Sequence, residues 1–259
     1  MSERLGFRTA GYRNMSIEQA IRAIADIGYD GVELCLEHPD LAPEKLTDDR
    51  CAELVAVASE LGLEIATVSY HGDGDPLELR WARALAAVAL APALGADILI
   101  VNSPRPGPDA PADLAEEFRY QLSCQLAMAD ELEVTVALEP EPGLLVDDCR
   151  DMLDLIEQMG SPSLAVNLDV GHAWLTEDDL NTAIAEMGGH IAAVHIEDMA
   201  DKVHKHLVPG DGQMNLPGVV QALRDTGFSG WLTVDLFDIA DDPNTAARQS
   251  LEQMRELLW

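Results

Sequence analysis

Three apolar runs, Val134 to Glu139, Val166 to Asp169 and Ile191 to His195, each stop on an ionisable residue, and they follow one another at the spacing of a βα unit. Each is too short for a helix and reads as a buried strand. The middle run continues as Val170-Gly171-His172, so an acid, a glycine and an imidazole close a buried segment. Packing gives no reason for a polar tip on three successive buried strands. Such a chain is expected to form a parallel sheet with chemistry at the carboxyl ends of its strands.

The alternation extends over the whole chain. Strands are read at Arg4 to Thr9, Gly31 to Leu36, Leu63 to Ser69, Asp97 to Asn102, Glu133 to Glu139, Leu164 to Asp169, His190 to Ile196 and Gly230 to Leu236. Between them Ser16-Ile17-Glu18-Gln19 is a capping box that opens a helix to about Ile27. Further helices are read at Thr47 to Leu61, Pro76 to Leu94, after the Pro104 to Pro111 loop through Leu132, and at Asp147 to Met159, Asp178 to Met187, Pro217 to Thr226 and Pro243 to Leu258. Eight strand-helix pairs fill 259 residues with no intervening linker, and a (β/α)₈ barrel takes about 250. A doubly wound sheet would usually carry a Gly-rich nucleotide turn after its first strand, and none is present. The expectation is one α/β domain, residues 1–259, folded as a (β/α)₈ TIM barrel.

Charge narrows the partners. There are 47 acids against 16 Lys and Arg, a net charge of −31 and only three lysines. A field of that sign repels nucleic acid, anionic membranes and anionic substrates. The acids are spread in pairs such as Asp48-Asp49, Asp147-Asp148 and Asp241-Asp242, as expected for a solvated acidic shell adapted to a salty cytoplasm. No run approaches a membrane span, and Met1 to Leu5 lacks the apolar core of a signal peptide, so a cytoplasmic location is expected. Cys35, Cys51, Cys124 and Cys149 form no CxxC pair and read as buried reduced thiols. The Asn14-Met15-Ser16 sequon is accidental on this reading.

In a (β/α)₈ barrel the carboxyl strand ends surround one mouth. Here they carry Glu33, His71, Asn102, Glu139, Asp169, His195 and Asp235. Glu139, Asp169, His195 and Asp235 come from four consecutive strands, and carboxylates with one imidazole suit a divalent ion of the Mn²⁺, Co²⁺ or Mg²⁺ kind. No cysteine belongs to the set, which argues against a structural zinc.

Leu138-Glu139-Pro140, Leu168-Asp169-Val170-Gly171-His172, Val194-His195-Ile196-Glu197-Asp198-Met199 and His206 followed by Pro209-Gly210-Asp211-Gly212 resemble the xylose isomerase-like barrels, which include sugar isomerases, sugar epimerases and endonuclease IV-type repair enzymes. The resemblance implies one metal ion, Mn²⁺ first among Mg²⁺, Co²⁺ and Zn²⁺, on Glu139, Asp169, His195 and position 235. The family has Glu at that last position, and this chain has Asp. In family isomerases and epimerases the two Glu ligands also flank the substrate carbon, one removing a proton to give an enediolate and the other returning it. Asp235 is one methylene shorter than Glu, and proton transfer needs heavy atoms about 2.6–3.2 Å apart. Glu139, Asp235 and His206 are therefore the expected catalytic residues, with His206 or His172 available for the half that Asp235 does not reach.

The stretch from Glu197 to Asn215 exceeds the usual βα connection and gathers Lys202, His204, Lys205 and His206, which suggests a lid over the metal. His71, Asn102, His172, Lys205 and Trp174, the last as a stacking platform, are the expected substrate contacts. The strand-eight loop, Asp235 to Asp242, holds four acids and no cation. The expected substrate is thus an uncharged sugar or keto-sugar, and the expected reaction an isomerisation or epimerisation by proton abstraction beside a carbonyl. A lyase or hydrolase acting on a modified glycoside, an endonuclease IV-like nuclease and a non-catalytic barrel remain alternatives, and homo-oligomerisation is left open. His71, His172 and His206 match further metal positions of the repair enzymes, but Asn102 stands where those carry His.

Overall fold

The structure is a computed structural model that describes residues 4–108, 110–239 and 241–258. The other residues, which touch the expected N-terminal segment and two loops, lie outside the described set. Eight parallel strands close into a barrel: β1 (Arg4–Arg8), β2 (Gly31–Cys35), β3 (Glu64–Tyr70), β4 (Ile98–Asn102), β5 (Thr135–Glu139), β6 (Leu164–Asp169), β7 (Ile191–Ile196) and β8 (Trp231–Val234). Each strand pairs with the next, and β1 pairs with β8. The helices are α1 (Ile17–Ile27), α2 (Asp48–Glu60), α3 (Leu77–Ala93), α4 (Leu114–Leu132), α5 (Cys149–Met159), α6 (Val170–Thr176), α7 (Leu180–Met187), α8 (Leu216–Asp225) and α9 (Pro243–Leu258).

Local chemistry explains the starts. Ser16 caps α1 in the reciprocal capping box with Gln19, while Thr47, Asp148 and Asp179 cap α2, α5 and α7 by accepting the N–H three residues on. The sequence reading lacked α6. Asp169 both ends β6 and caps α6, its Oδ1 accepting from His172 N at 2.8 Å. The apolar faces of the helices pack on the outside of the barrel in one continuous cluster, and burial of that surface is the main stabilising term.

Inside the barrel the chemistry is different. A small apolar patch of Ile100, Ala137 and Ala193 lies apart from the main cluster. Around it the chain buries Arg8, Glu33, Thr67, Asn167, His195 and Thr233. Two bulges adjust the register, so that Val32 pairs with Ile65 but Glu33 with Thr67, and Val166 with Ile191 but Asn167 with Ala193. Asn102 pairs with Glu139 and Asp169 with His195, which sets these tips side by side at one level.

Cys35, Cys51 and Cys149 are buried free thiols, and Cys124 is half-buried and free. No helix of the described residues is long and apolar enough to cross a membrane. With a net charge of −31, the thermal midpoint is expected to rise by several degrees between about 0.1 M and 1 M KCl, where the Debye length shrinks from about 10 Å to 3 Å and folded-state repulsion is screened. Differential scanning calorimetry measures this, and a flat or falling midpoint contradicts salt adaptation.

Candidate active site

At the C-terminal mouth, Glu139, Asp169 and His195 place one ligating atom each within 4.8 Å of the others, and all three are buried. Register and second contacts produce this arrangement. His195 Nε2 lies 2.9 Å from Glu33 Oε2, which also accepts from Thr67 Oγ1 at 2.7 Å. With the N–H on Nε2, His195 turns Nδ1 inward, 3.0 Å from Glu139 Oε2. This is the carboxylate-imidazole pairing that orients a metal-ligating histidine. Glu139 Oε2 also accepts from Asn167 Nδ2 at 2.7 Å.

Several buried polar atoms of the strand ends and the loops that follow them have no hydrogen-bond partner among the described residues. They include Asp169 Oδ2, His195 Nδ1, Glu197 Oε2, His206 Nε2, His172 Nδ1 and Asp235 Oδ1. Orphaned buried donors and acceptors are costly, each by about 1–3 kcal/mol. Oxygen and imidazole donors so arranged fit a divalent cation. Two more groups meet the same distance limit, Asp169, Glu197 and His206, and His172, His204 and His206.

The charges are tightly interlocked. Burial opposes ionisation of Glu139, but His71 and His195 hold its carboxyl well below the usual range. Burial likewise works against the His195 imidazolium, yet Glu33 and Glu139 keep that ring well above its ordinary value. Glu197 is the opposite case: burial, then the Asp169 and Asp235 carboxylates, push it well up. For His204, desolvation of the ring and then His172 and His206 bring it down to about 4.

Arg8, at the end of β1, was absent from the sequence expectations and organises one wall. Its Nη1 donates to Asp235 Oδ2 at 2.8 Å, its Nε lies 2.9 Å from Glu33 Oε1, and its Nη2 is 3.1 Å from His71 Nδ1. Against the burial that raises it, this guanidinium, then His206 and His195, bring the Asp235 carboxyl down to about 2. A charged residue closing an apolar first strand, Gly6-Phe7-Arg8, was the available signal.

The stretch from Glu197 to Asn215, expected as a lid, is wired into the barrel. Asp198 pairs with Leu207 in an antiparallel bridge. Its Oδ1 accepts from Met199 N at 2.9 Å and Met214 N at 3.0 Å, and its Oδ2 accepts from Gly210 N and Gly212 N, each at 3.0 Å. This anchoring buries His206, whose Nδ1 lies 2.8 Å from the Asp235 carbonyl oxygen and whose Nε2 is left without a partner.

The mouth encloses a cavity of about 220 Å³. Its lining includes the expected Glu139, Asp235, His71, His172 and His206, together with Phe237, which no sequence argument singled out. Phe237 meets the His206 ring edge-on at 4.7 Å between centroids. Three expected substrate contacts stand elsewhere. Trp174, on α6, packs against the outer core with the Lys202 ammonium 4.1 Å from its ring centroid. Lys205 is exposed and does not line the cavity. The Asn102 amide is taken up by Arg80, 2.5 Å from its Oδ1, and by Glu141, which accepts from Nδ2 at 3.0 Å.

A closed parallel barrel with a metal-competent cluster at its C-terminal mouth defines the class. The description "xylose isomerase-like TIM barrel" matches residues 21–257, and the chain belongs to that family. Fructoselysine 3-epimerase of Shigella flexneri is 23% identical over 268 residues, covering 98% of this chain and 97% of the relative. The crystal structure of D-psicose 3-epimerase with D-tagatose from Clostridium cellulolyticum H10 superposes with a TM-score of 0.82 at 18% identity, covering 98% and 99% of the two chains. That of the IolI protein with a bound zinc atom gives 0.81 at 16% identity, covering 98% of each.

Proposed function

We propose that this protein is a divalent-metal-dependent epimerase or isomerase of a small uncharged ketose, acting by proton abstraction beside the carbonyl. The observation that carries the reading is the clustering of ligand atoms from Glu139, Asp169 and His195, of which Asp169 Oδ2 and His195 Nδ1 have no hydrogen-bond partner among the described residues, beside a monosaccharide-sized cavity. The 3-epimerase names of the relatives point the same way. Glu139, Asp169 and His195 would hold the metal, with a fourth carboxylate from the adjacent ends of β7 and β8. When bound, it supplies Lewis acidity toward the oxygens of a hydroxyketone. Mn²⁺ suits such a mixed carboxylate and imidazole set.

Glu139 is assigned as the base that removes the proton, since its carboxyl lines the cavity, where His71 and His195 favour the ionised form against burial. The proton returned on the opposite face is assigned to His206, whose Nε2 is free of protein partners. Asp235, whose Oδ2 is committed to Arg8, is assigned to positioning. Phe237 offers the apolar platform earlier expected of Trp174.

Glu37, Asp73 and Glu141 also line the mouth, while Arg8 is committed to Glu33 and Asp235 and Arg13 donates to the Phe237 carbonyl at 3.3 Å. A phosphate charge about 4 Å from one carboxylate would lose on the order of 4 kcal/mol at an effective dielectric near 20. Incubating a ketose panel with Mn²⁺ in D₂O is expected to yield an epimer or aldose with deuterium at one carbon, and failure to exchange with every ketose sinks the reading. In competition at fixed metal and ionic strength the free ketose should bind more tightly than its phosphate ester. The reverse order refutes the uncharged-substrate assignment.

A further inference from the structure

The Arg8 ion pair leaves open which residue completes the metal shell. Asp235 and Glu197 follow adjacent strands at the same height, since His195 pairs with Thr233 and Ile196 with Val234, and Asp235 N donates to the Ile196 carbonyl at 3.3 Å. Glu197 directly follows the last residue of β7, and its side chain groups with Asp169 and His206 at the mouth. Two carboxyl groups therefore compete for one position, and their surroundings differ.

Asp235 Oδ2 is tied to Arg8 at 2.8 Å, which leaves only its Oδ1 without a partner among the described residues. Among the described residues Asp235 joins none of the groups whose ligating atoms lie within 4.8 Å of one another. Removing it from Arg8 would leave the buried guanidinium with Glu33 as its one carboxylate ion-pair partner among the described residues. Glu197 has no arginine or lysine partner among the described residues. It is fully buried, its Oε1 is held by Gly171 N at 2.6 Å, and its Oε2 has no hydrogen-bond partner. It forms a group with Asp169 and His206, and Asp169 also belongs to the group with Glu139 and His195. Asp169 and Glu197 thus share one ligating group with His206, whose Nδ1 lies 3.9 Å from Glu197 Oε2, and neither Asp169 Oδ2 nor Glu197 Oε2 has a hydrogen-bond partner among the described residues.

We propose that Glu197, and not Asp235, supplies the fourth protein ligand of the metal, alongside Glu139, Asp169 and His195. The inference rests on the metal-dependent reading above. Asp235 is then the counterion that fixes Arg8, and the ligand has moved from the end of β8 to the end of β7. The shorter side chain at position 235 is compatible with this exchange because it needs to reach only Arg8.

Isothermal titration of Mn²⁺, with the free-ion electron paramagnetic resonance signal as a second count, is the test. Glu139→Gln and Glu197→Gln are each expected to weaken Mn²⁺ binding by about 100-fold or more, beyond the 10–100-fold typical of residues that only orient ligands, and Asp235→Asn by less than about 10-fold. Gln at 197 keeps an oxygen for the Gly171 N–H, and circular dichroism checks that the variants fold. If Asp235→Asn costs as much as Glu197→Gln, or Glu197→Gln binds like the parent, the proposal is overturned while the metal site stands. If Glu139→Gln also binds like the parent, the metal reading itself falls. Should Glu197→Gln not fold, a Mn-edge anomalous map of the parent decides: an ion bonded to Glu197 supports the proposal, and one bonded to Asp235 without Glu197 overturns it.

Discussion

Glu139→Gln is expected to lower turnover of the best ketose by at least about 10³-fold, within the range that a positioned general base contributes, and to lose bound metal as well. The two effects arise from one side chain. Its Oε2 meets Asn167, His195 and His71, and its Oε1 faces His172 Nδ1 at 3.4 Å. Glutamine preserves volume and the contact to Asn167, but it removes the charge that His71 and His195 stabilise. Asp169→Asn should lose metal too while touching no proton in flight. Solvent deuterium exchange on metal-saturated protein separates the roles, since added Mn²⁺ should restore exchange in Asp169→Asn and leave Glu139→Gln inactive. Full metal occupancy in both variants, measured by elemental analysis, would falsify the ligand assignment.

Asp198→Ala is expected to produce the largest loss of stability. One carboxylate, 2% exposed, accepts four backbone N–H groups from positions 199, 210, 212 and 214. Hydrogen bonds to a charged group contribute roughly 1.5–3 kcal/mol each before coupling among them is counted. Part of the loop can rehydrate when the carboxylate is gone, so a net cost of about 3–5 kcal/mol is expected. Against a total stability of roughly 5–15 kcal/mol this is severe. At about 2–4 °C per kcal/mol for a chain of this size, the midpoint should fall by roughly 10 °C. Asp198→Asn keeps one oxygen and should show about half the shift. A midpoint for Asp198→Ala within about 2 °C of the parent would show that the loop does not depend on this side chain.

The barrel was legible because each strand is a short apolar run with its own turn signals, and each helix opens on a cap such as Ser16 or Thr47. The same logic marked Glu139, Asp169 and His195, since an ionisable residue closing a buried run is visible in one dimension. The short helix after β6 was not. Asp169-Val170-Gly171-His172 carries a glycine, a poor helix former, and its cap is a residue that also ends a strand. Arg8 and Asp235 meet across 227 positions, through closure of β1 on β8, and no local pattern announces that pairing. The loop after β7 looked mobile because its length and charge are visible in the sequence, whereas the fourfold use of Asp198 is a property of its folded path. The contact of the Lys202 ammonium with the Trp174 ring likewise joins two residues far apart in the sequence, and no local pattern announces it.

Gly171 also bears on how this site can change over time. A Cβ there would collide with Glu197 Oε1 and with the Met199 side chain, and the Gly171 N–H is what holds that same oxygen. Most changes at either position are therefore felt at the other. A larger residue at 171 evicts Glu197, while a smaller residue at 197 leaves the amide without an acceptor and opens a void that then favours a side chain at 171. Gly171 in α6 and Glu197 after β7 are thus expected to be replaced together, and a double-mutant cycle at the two positions should show non-additive stability.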